Sequence, residues 1–440
     1  MEKKGARAAA FRVLNRVEAT DAYADIALEA ELRGMGAQEA GLSTELVYGV
    51  LRWRMRLDFT IGLFSSIRTE KLEHRVLNAL RLGAYQLLFL SKIPASAAIN
   101  ESVELVKPDK RRAGFVNAVL RKIDSERERI SIPGEDPVRH IAIAWSHPEW
   151  MVKRWAQRYG IEETIDLCKA DQEVPPKTIR TNTLAISRER LIEGLTSEGF
   201  ESQPTRYSPY GIEVRAGGPL NAKDKRYYIQ DDASQLIPLL LSPSPGESVM
   251  DACSAPGGKA THMAQIMGNK GVIYAIDKHE ARLRPVKESA SRLGVNIVKT
   301  FTSDAAEPFD IVEKGSLDAI LCDAPCSGLG VLRRAPDSKY RRKAGDILSL
   351  ALVQAALLDN LSGYLKKGGR LVYSTCTFEP EETDDIVSAF LERHADFRLE
   401  DASDVLPEGC RELVDEKGIL RTFPHRHGMD GFFGARLRKS

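Results

Sequence analysis

Cys326, in the stretch LCDAPCSGLG, and Cys376, in LVYSTCTFEP, each follow a short apolar run patterned like a buried strand. Each thiol is therefore expected just past a strand's carboxyl end, the edge where open α/β sheets bind ligands. A third segment of this kind, SVMDACSAPGGK, ends in a Gly-Gly turn. Two thiols facing one crevice beside a nucleotide-type turn point to covalent chemistry on a bound base. Cytosine suits that chemistry. Its carbon 5 is a poor nucleophile toward a sulfonium methyl, but a thiolate adding at carbon 6, with a proton near ring nitrogen 3, makes it an enamine carbon. After methyl transfer carbon 5 must lose its proton before the thiol departs, so a second group near the ring has its own job. Asp323, three residues before Cys326, is a candidate to hydrogen-bond the base edge and favour the protonated ring. A free thiol ionises near pH 8.5, so about a few per cent is thiolate at neutrality. Lys259, Arg333 and Arg334 are the neighbouring cations in the sequence that would raise this fraction. The residues alone do not say which cysteine attacks.

The DACSAPGGK turn, residues 251–259, follows a strand and opens a helix. Its glycines admit a close backbone approach, and the helix start offers unpaired N–H groups. A phosphate loop is excluded, because Cys253 stands where glycine is needed and Ala260 where Ser or Thr is needed. The dinucleotide spacing GxGxxG is also missing. Asp277 ends the next strand, in AIDKHEARL, where a carboxylate can hold both hydroxyls of an adenosine ribose. Asp304, in TSDAAE, ends the third strand and is placed to accept from an adenine amino group, though taken alone it reads as a surface aspartate. An adenosine without a pyrophosphate is thus required, which S-adenosylmethionine satisfies better than NAD.

The elements that position these residues follow from periodicity. Residues 1–142 read as wholly helical, with Phe11, Leu14 and Val17, then Leu46, Val47, Val50 and Leu51, at three- and four-residue intervals. SIPGEDPV, residues 131–138, has the composition of a linker. Residues 143–232 open with a helix and turn mixed: strands at TIRTNTL and GIEVRA, with a helix capped by Ser187 between them. This is a small α/β linking domain. From residue 233 to 440 strands (SVMDAC, GVIYAID, VNIVKTF, LDAILCDA, GRLVYSTC) alternate with helices that begin near Gly258, Glu280, Asp346 and Pro380. Such alternation builds a parallel sheet covered on both faces.

Composition bounds the rest. With 43% apolar and 28% charged residues, the 440-residue chain is an ordinary globular protein. At a net charge of +1, nucleic acid would have to be held by local basic patches. Six dispersed cysteines make neither a disulfide scaffold nor a metal site, and fit a reducing, cytoplasmic setting. Cys168, Cys322 and Cys410 read as small buried hydrophobes. Arg7, Arg12 and Arg16, followed by Glu18 and Asp21, interrupt any secretory leader. The most apolar stretch, Ile347–Leu365, contains Gln354, Asp359 and Asn360 and reads as a packed helix, not a membrane span.

DACSAPGGK, DAPCSG and STCT together resemble the Sun/Fmu (RsmB-type) family of bacterial ribosomal RNA 5-methylcytosine methyltransferases, as do SHPEWMVKRW, RTNTL, QDDASQL and HGMDGFFGARL. The resemblance covers residues 145–440. It implies a Rossmann-like class I methyltransferase domain with a mostly parallel seven-stranded sheet and S-adenosylmethionine as methyl donor. The donor would be bound through Cys253, Ser254, Ala255, Pro256, Gly257, Gly258 and Lys259, with Asp277, Asp304 and Asp323. It also implies that Cys376 is the nucleophile and that Cys326 assists product release. Residues RLGAYQLLFLSKIPASAAINESVELVK and GFVNAVLRKI resemble the all-helical, RNA-binding NusB fold. The joined architecture implies cytosine in small-subunit (16S) ribosomal RNA as target, with no metal and no membrane, in a monomer. Alternative readings are another RNA target, such as transfer RNA or large-subunit rRNA, and a non-catalytic RNA-binding factor.

Three basic runs are candidate phosphate contacts. Arg52, Arg54 and Arg56 read best as a solvated helix face, and Lys107, Lys110, Arg111 and Arg112 form a second run. Arg333, Arg334, Lys339, Arg341, Arg342 and Lys343 directly follow a catalytic motif and are expected to face RNA. The target base must be unpaired or flipped to reach a thiol.

Overall fold

The structure is a computed structural model and describes residues 5–20 and 22–440; the first four residues and Asp21 lie outside the described residues. The chain divides into two compact units. One comprises residues 1–173 with 332–341, the other 174–331 with 342–440.

The first unit is helical. Its helices are Ala6–Thr20, Ala24–Leu32, Ala37–Arg52, Arg54–Phe64, His74–Phe89, Ala95–Glu104, Lys110–Glu126, Pro137–Ala144, Glu149–Tyr159 and Ile161–Ala170. The apolar stripes anticipated from spacing are buried: Phe11 and Leu14 pack with Leu46, Val47, Val50 and Leu51 in one core. Two of the helix starts carry side-chain caps. Asp109 accepts from the amides of Arg111 and Arg112 at 2.9 and 3.1 Å, and Asp136 caps the helix after the 131–136 connection.

A strap, Leu332–Arg341, belongs to this helical unit although the sequence on both sides of it belongs to the other. Lys339 Nζ donates to the Arg52 carbonyl at 3.0 Å, Arg52 Nη2 donates to the Arg333 carbonyl at 3.1 Å, and the Tyr340 hydroxyl donates to the Ser146 carbonyl at 3.3 Å. Lys339 is 1% and Arg333 2% exposed. The expectation that these two cations face RNA is therefore corrected. The Lys339 side chain runs inward because the Arg52 carbonyl and the Asp171 charge compensate a charge that burial disfavours. Arg52 is likewise buried, and Arg54 pairs with Glu18 at 2.8 Å, so that run is no solvated face.

The second unit holds two sheets. In the smaller, strands β1 (Lys177–Thr181), β2 (Glu201–Pro204), β3 (Gly211–Ala216) and β4 (Tyr227–Ile229) pair antiparallel in the order β2-β3-β1-β4. Ile179, Ile212 and Val214 pack against Leu191 and Leu195 of the helix Arg188–Ser197, whose start Ser187 caps. The two short strands β2 and β4 were not evident from sequence.

The larger sheet contains β5 (Ser248–Asp251), β6 (Val272–Asp277), β7 (Val298–Thr302), β8 (Leu317–Asp323), β9 (Leu365–Thr375), β10 (Phe397–Glu400), β11 (Leu420–Arg421) and β12 (Phe433–Lys439). Seven follow the order β10-β12-β9-β8-β5-β6-β7, and the two-residue β11 pairs with β12. Strands β5 to β9 are parallel; β12 joins β9 antiparallel. Alternate residues serve opposite faces: Val249, Ile273, Ala319, Leu321 and Val372 enter one core, and Met250, Ile276, Ile320, Leu371 and Tyr373 the other. That two-sided burial is why these strands read as continuous apolar runs. Strand order reverses at β5, so a crevice opens beyond its carboxyl end.

The helix Ala344–Ser362 is long and apolar enough, by length and composition, to cross a membrane. Here Ile347, Leu357, Leu358 and Leu361 are buried. Leu352 is 75% exposed and, with Val353, lines a cavity.

Candidate active site

Five parallel strands deliver their carboxyl ends to one edge, and the sequence-predicted residues meet there. A cavity of 640 Å³ is lined by Cys253, Asp277, Asp304, Asp323, Cys326 and Cys376, together with Lys278, Arg282, Leu352 and Val353. A second cavity of 230 Å³ is lined by the turn residues Ser254, Ala255, Pro256, Gly258 and Lys259, with Asp251, Cys253, Asp323, Tyr228 and Gln230.

The turn is shaped by backbone requirements. Gly257 has φ +101°, and a Cβ there would lie 2.9 Å from Val286 Cα, so only glycine fits. It leads into the helix Gly258–Ile266. Behind the turn Arg180, fully buried on β1, donates to the Gly258 carbonyl at 2.6 Å and to Thr261 and Gln265 at 3.0 Å. Burial lowers the guanidinium to about 9. The smaller sheet thereby braces the turn.

The carboxylates have distinct environments. Asp277, 4% exposed, accepts from the His279 amide at 3.0 Å and lies 3.3 Å from Arg282. Asp304 pairs with Lys278 at 2.7 Å, and that hydrogen bond holds its carboxyl below the usual range. Asp323 accepts from Lys259 Nζ at 2.7 Å on one oxygen and from Ser374 Oγ at 2.8 Å on the other.

Asp251, at the end of β5, was missed by the sequence reading. It is fully buried, and neither carboxylate oxygen has a hydrogen-bond partner. Burial, then the nearby Asp323 charge, raises it to about 7. A buried acid without partners at the wall of a cavity is arranged for a cationic ligand group. Its only sequence signal was its place at a strand end, one residue before the turn's first small residues.

The two thiols meet. Cys326 Sγ and Cys376 Sγ are 3.2 Å apart. The hydrogen bond to Cys376, then burial, raises the Cys326 thiol well above its ordinary value. The loops are bound to one another: Ser327 Oγ donates to Thr377 Oγ1 at 2.9 Å, and the Gly330 amide to the Cys376 carbonyl at 3.0 Å. Of the cations expected near the thiols, Lys259 is present. Burial opposes its charge, but Asp323 and, more weakly, Cys376 outweigh that and raise the amine. Arg333 and Arg334 are not among the residues that line the cavity. Arg342 binds the loop itself, donating to the Ser327 carbonyl at 3.0 Å and the Cys326 carbonyl at 3.3 Å. Cys322 and Cys410 are buried away from the cavity, as is Cys168 in the helical unit. Among the described residues no cluster of His, Cys, Asp and Glu is arranged to hold a metal ion.

The doubly wound sheet is Rossmann-like, and the cavity at its carboxyl edge holds two thiols in contact. Residues 238–438 match the family described as 16S rRNA methyltransferase RsmB/F, residues 147–221 the ferredoxin-like domain of RsmF/B-like methyltransferases, and residues 4–125 the NusB family. The chain is 39% identical over 447 residues to a probable ribosomal RNA small subunit methyltransferase B of Bacillus subtilis (strain 168), covering all of both chains. It is 34% identical to a protein of the same name from Synechocystis sp. (strain ATCC 27184 / PCC 6803 / Kazusa), covering 99% of each. Among solved structures, PH0851 superposes with a TM-score of 0.83 at 26% identity over 98% of both chains. NSun6 from Pyrococcus horikoshii with SFG gives 0.58 at 27% identity, over 65% of this chain and 97% of that one. The chain belongs to the 16S rRNA methyltransferase RsmB/F family and is an enzyme, a methyltransferase of ribosomal RNA.

Proposed function

We propose that the protein transfers a methyl group from S-adenosylmethionine to carbon 5 of a cytosine in small-subunit (16S) ribosomal RNA, through a covalent bond between Cys376 and carbon 6. The observation that carries this reading is the 3.2 Å approach of Cys326 and Cys376 at the rim of the cavity that also holds Asp277, Asp304 and Asp323. The donor supplies a sulfonium-activated methyl. The fit of its carrier rests on this chain's residues. Asp277 accepts from the ribose hydroxyls, Asp304 from the adenine amino group, and Asp251 from the ammonium of the amino-acid end. The names of the B. subtilis and Synechocystis relatives support the small subunit as target. Their family also supports a cytoplasmic setting.

The Cys326 sulfur stands 3.2 Å from the Cys376 sulfur, placed to donate toward it when Cys376 attacks as a thiolate. Lys259 adds a positive charge on the same side. Cys376 attacks carbon 6 as a thiolate, forming the S–C bond while the C5–C6 π electrons move into the ring and ring nitrogen 3 takes up a proton from solvent. Asp323, fixed by Lys259 and Ser374, is the hydrogen-bonding group for the base edge. Carbon 5 then takes the methyl. Cys326, having given its own proton to solvent, takes the carbon 5 proton; the S–C bond then breaks, Cys376 leaves as a thiolate, and ring nitrogen 3 returns its proton to solvent. The test is incubation of unmodified 16S RNA with donor carrying a labelled methyl, followed by nucleoside analysis. Label in 5-methylcytidine is expected; label in any other nucleoside, or none, would contradict the proposal.

A further inference from the structure

The loop that carries Cys326 is held from behind by a carboxylate that does not line the cavity. We infer that Glu382 is a positioning residue for product release: with Gln354 it fixes the Pro325–Ser327 backbone, and so the reach of the Cys326 sulfur to carbon 5. The Glu382 side chain is fully buried. Its Oε1 accepts from the Ser327 amide at 2.8 Å and from Gln354 Nε2 at 3.0 Å. The same Gln354 nitrogen donates to the Pro325 carbonyl at 2.9 Å. Residues on both sides of Cys326 are thus tied to one carboxylate–amide pair. Glu382 is itself anchored, because the Tyr373 hydroxyl on β9 donates to its carbonyl at 2.7 Å. Strand β9 ends at Thr375, one residue before Cys376. The framework that presents one thiol therefore also sets the place of the other.

A buried carboxylate is costly unless the site uses it. Burial raises this one even though hydrogen bonds from Ser327 and Gln354 favour its charge, and its second oxygen has no partner. An apolar side chain would pack the same space without the desolvation cost. What it would not supply is an acceptor for the Ser327 amide, the backbone group next to the releasing thiol. Addition by Cys376 does not depend on that acceptor, since the amide it binds flanks Cys326, whereas Cys376 directly follows the end of β9. Proton removal by Cys326 does, because a displacement of about 1 Å can cost on the order of 100-fold in a proton transfer.

The inference rests on the proposed division of labour between the two cysteines, so the experiment includes Cys326→Ala. Full-length protein, unmodified 16S RNA and S-adenosylmethionine are mixed, and turnover and the fraction of protein bound covalently to RNA are measured. In Glu382→Ala the adduct is expected to rise about tenfold or more while turnover falls by a similar factor. KM for both substrates should stay within about twofold. Glu382→Gln keeps an acceptor for the amide and should release product within about threefold of wild type. Gln354→Leu, which removes the two bonds to Pro325 and Glu382, should accumulate adduct in the same direction and carries the test if Glu382→Ala does not fold. Adduct in Cys326→Ala without adduct in the Glu382→Ala or Gln354→Leu protein would overturn the positioning role. So would a parallel loss of adduct and turnover, or a Glu382→Gln protein as impaired as the alanine variant. Absence of adduct in Cys326→Ala itself would instead overturn the division of labour.

Discussion

Asp251 gives the sharpest quantitative expectation. Its carboxyl is raised from an ordinary 3.8 to about 7, chiefly by burial, and both oxygens lack partners. At about 1.36 kcal/mol per tenfold, that amounts to roughly 4 kcal/mol against the charged form. The sign follows: a raised folded value means that stability is full at acid pH and is lost as pH rises from about 4 to about 7. Without donor, Asp251→Asn should therefore stabilise the protein at pH 7.5, by roughly 1–3 kcal/mol after the cost of burying an amide. Donor binding runs the other way. The productive pair is a charged Asp251 with a charged amino group on the donor, and an α-amino group ionises near 7.7–8.0. With Asp251 at about 7, the fraction of productive pairs peaks between about 7 and 8 and falls about fivefold by pH 6. A charge-assisted hydrogen bond contributes about 1.5–3 kcal/mol, so Asp251→Asn should bind donor about 10- to 150-fold more weakly at pH 7.5. It should also lose the decline toward acid. Titration calorimetry with S-adenosylmethionine at pH 6 and 7.5, in both proteins, measures all of this. A wild-type affinity that does not change over that range, or an Asn variant that keeps the acid decline, would refute the assignment.

Two further expectations concern the strap and the cysteine loop. Lys339 is lowered from 10.5 to about 7, first by burial, so between those values the unfolded chain binds the additional proton and stability rises with pH. Lys339→Met should therefore stabilise the helical unit more at pH 6 than at pH 9, the difference being about 2–3 kcal/mol. All four tryptophans lie within residues 53–155, so their fluorescence in denaturant reports this unit alone, and a pH-independent difference would count against the buried charge. Gly330→Ala places a Cβ 2.1 Å from the Gly431 carbonyl oxygen, where the Gly330 carbonyl also accepts from the Gly431 amide at 2.8 Å. Overpacking of this kind costs about 1–3 kcal/mol. Turnover should fall about tenfold or more with donor affinity unchanged, and wild-type turnover in Gly330→Ala would show that the contact does not hold the loop.

Strands β5, β6, β8 and β9 were legible because burial on both faces leaves nearly unbroken apolar runs, and the turn was legible because its glycines carry backbone constraints. Cys326 and Cys376 stood out by their positions at strand exits; that their sulfurs touch is a tertiary fact that local pattern does not encode. The basic strap was misread for a physical reason. A run of Lys and Arg normally means a solvated face, yet Arg333 and Lys339 are buried, Lys339 donates to the Arg52 carbonyl and Arg52 to the Arg333 carbonyl, and these partners lie nearly 300 positions apart in sequence. Asp251 and Glu382 were invisible for the converse reason. Their importance lies in burial and, for Asp251, in lacking a hydrogen-bond partner, which no spacing reveals.

The central claim is that Cys376 forms the bond to the base and Cys326 breaks the impasse that follows. The most direct measurement is mass spectrometry of the protein–RNA adduct formed by Cys326→Ala on unmodified 16S RNA with S-adenosylmethionine, with Cys376→Ala run beside it. The expected result is a methylated cytidine on the peptide containing Cys376, and no adduct and no methylation in Cys376→Ala. An adduct that accumulates in Cys376→Ala, with the nucleotide attached to Cys326, would contradict it.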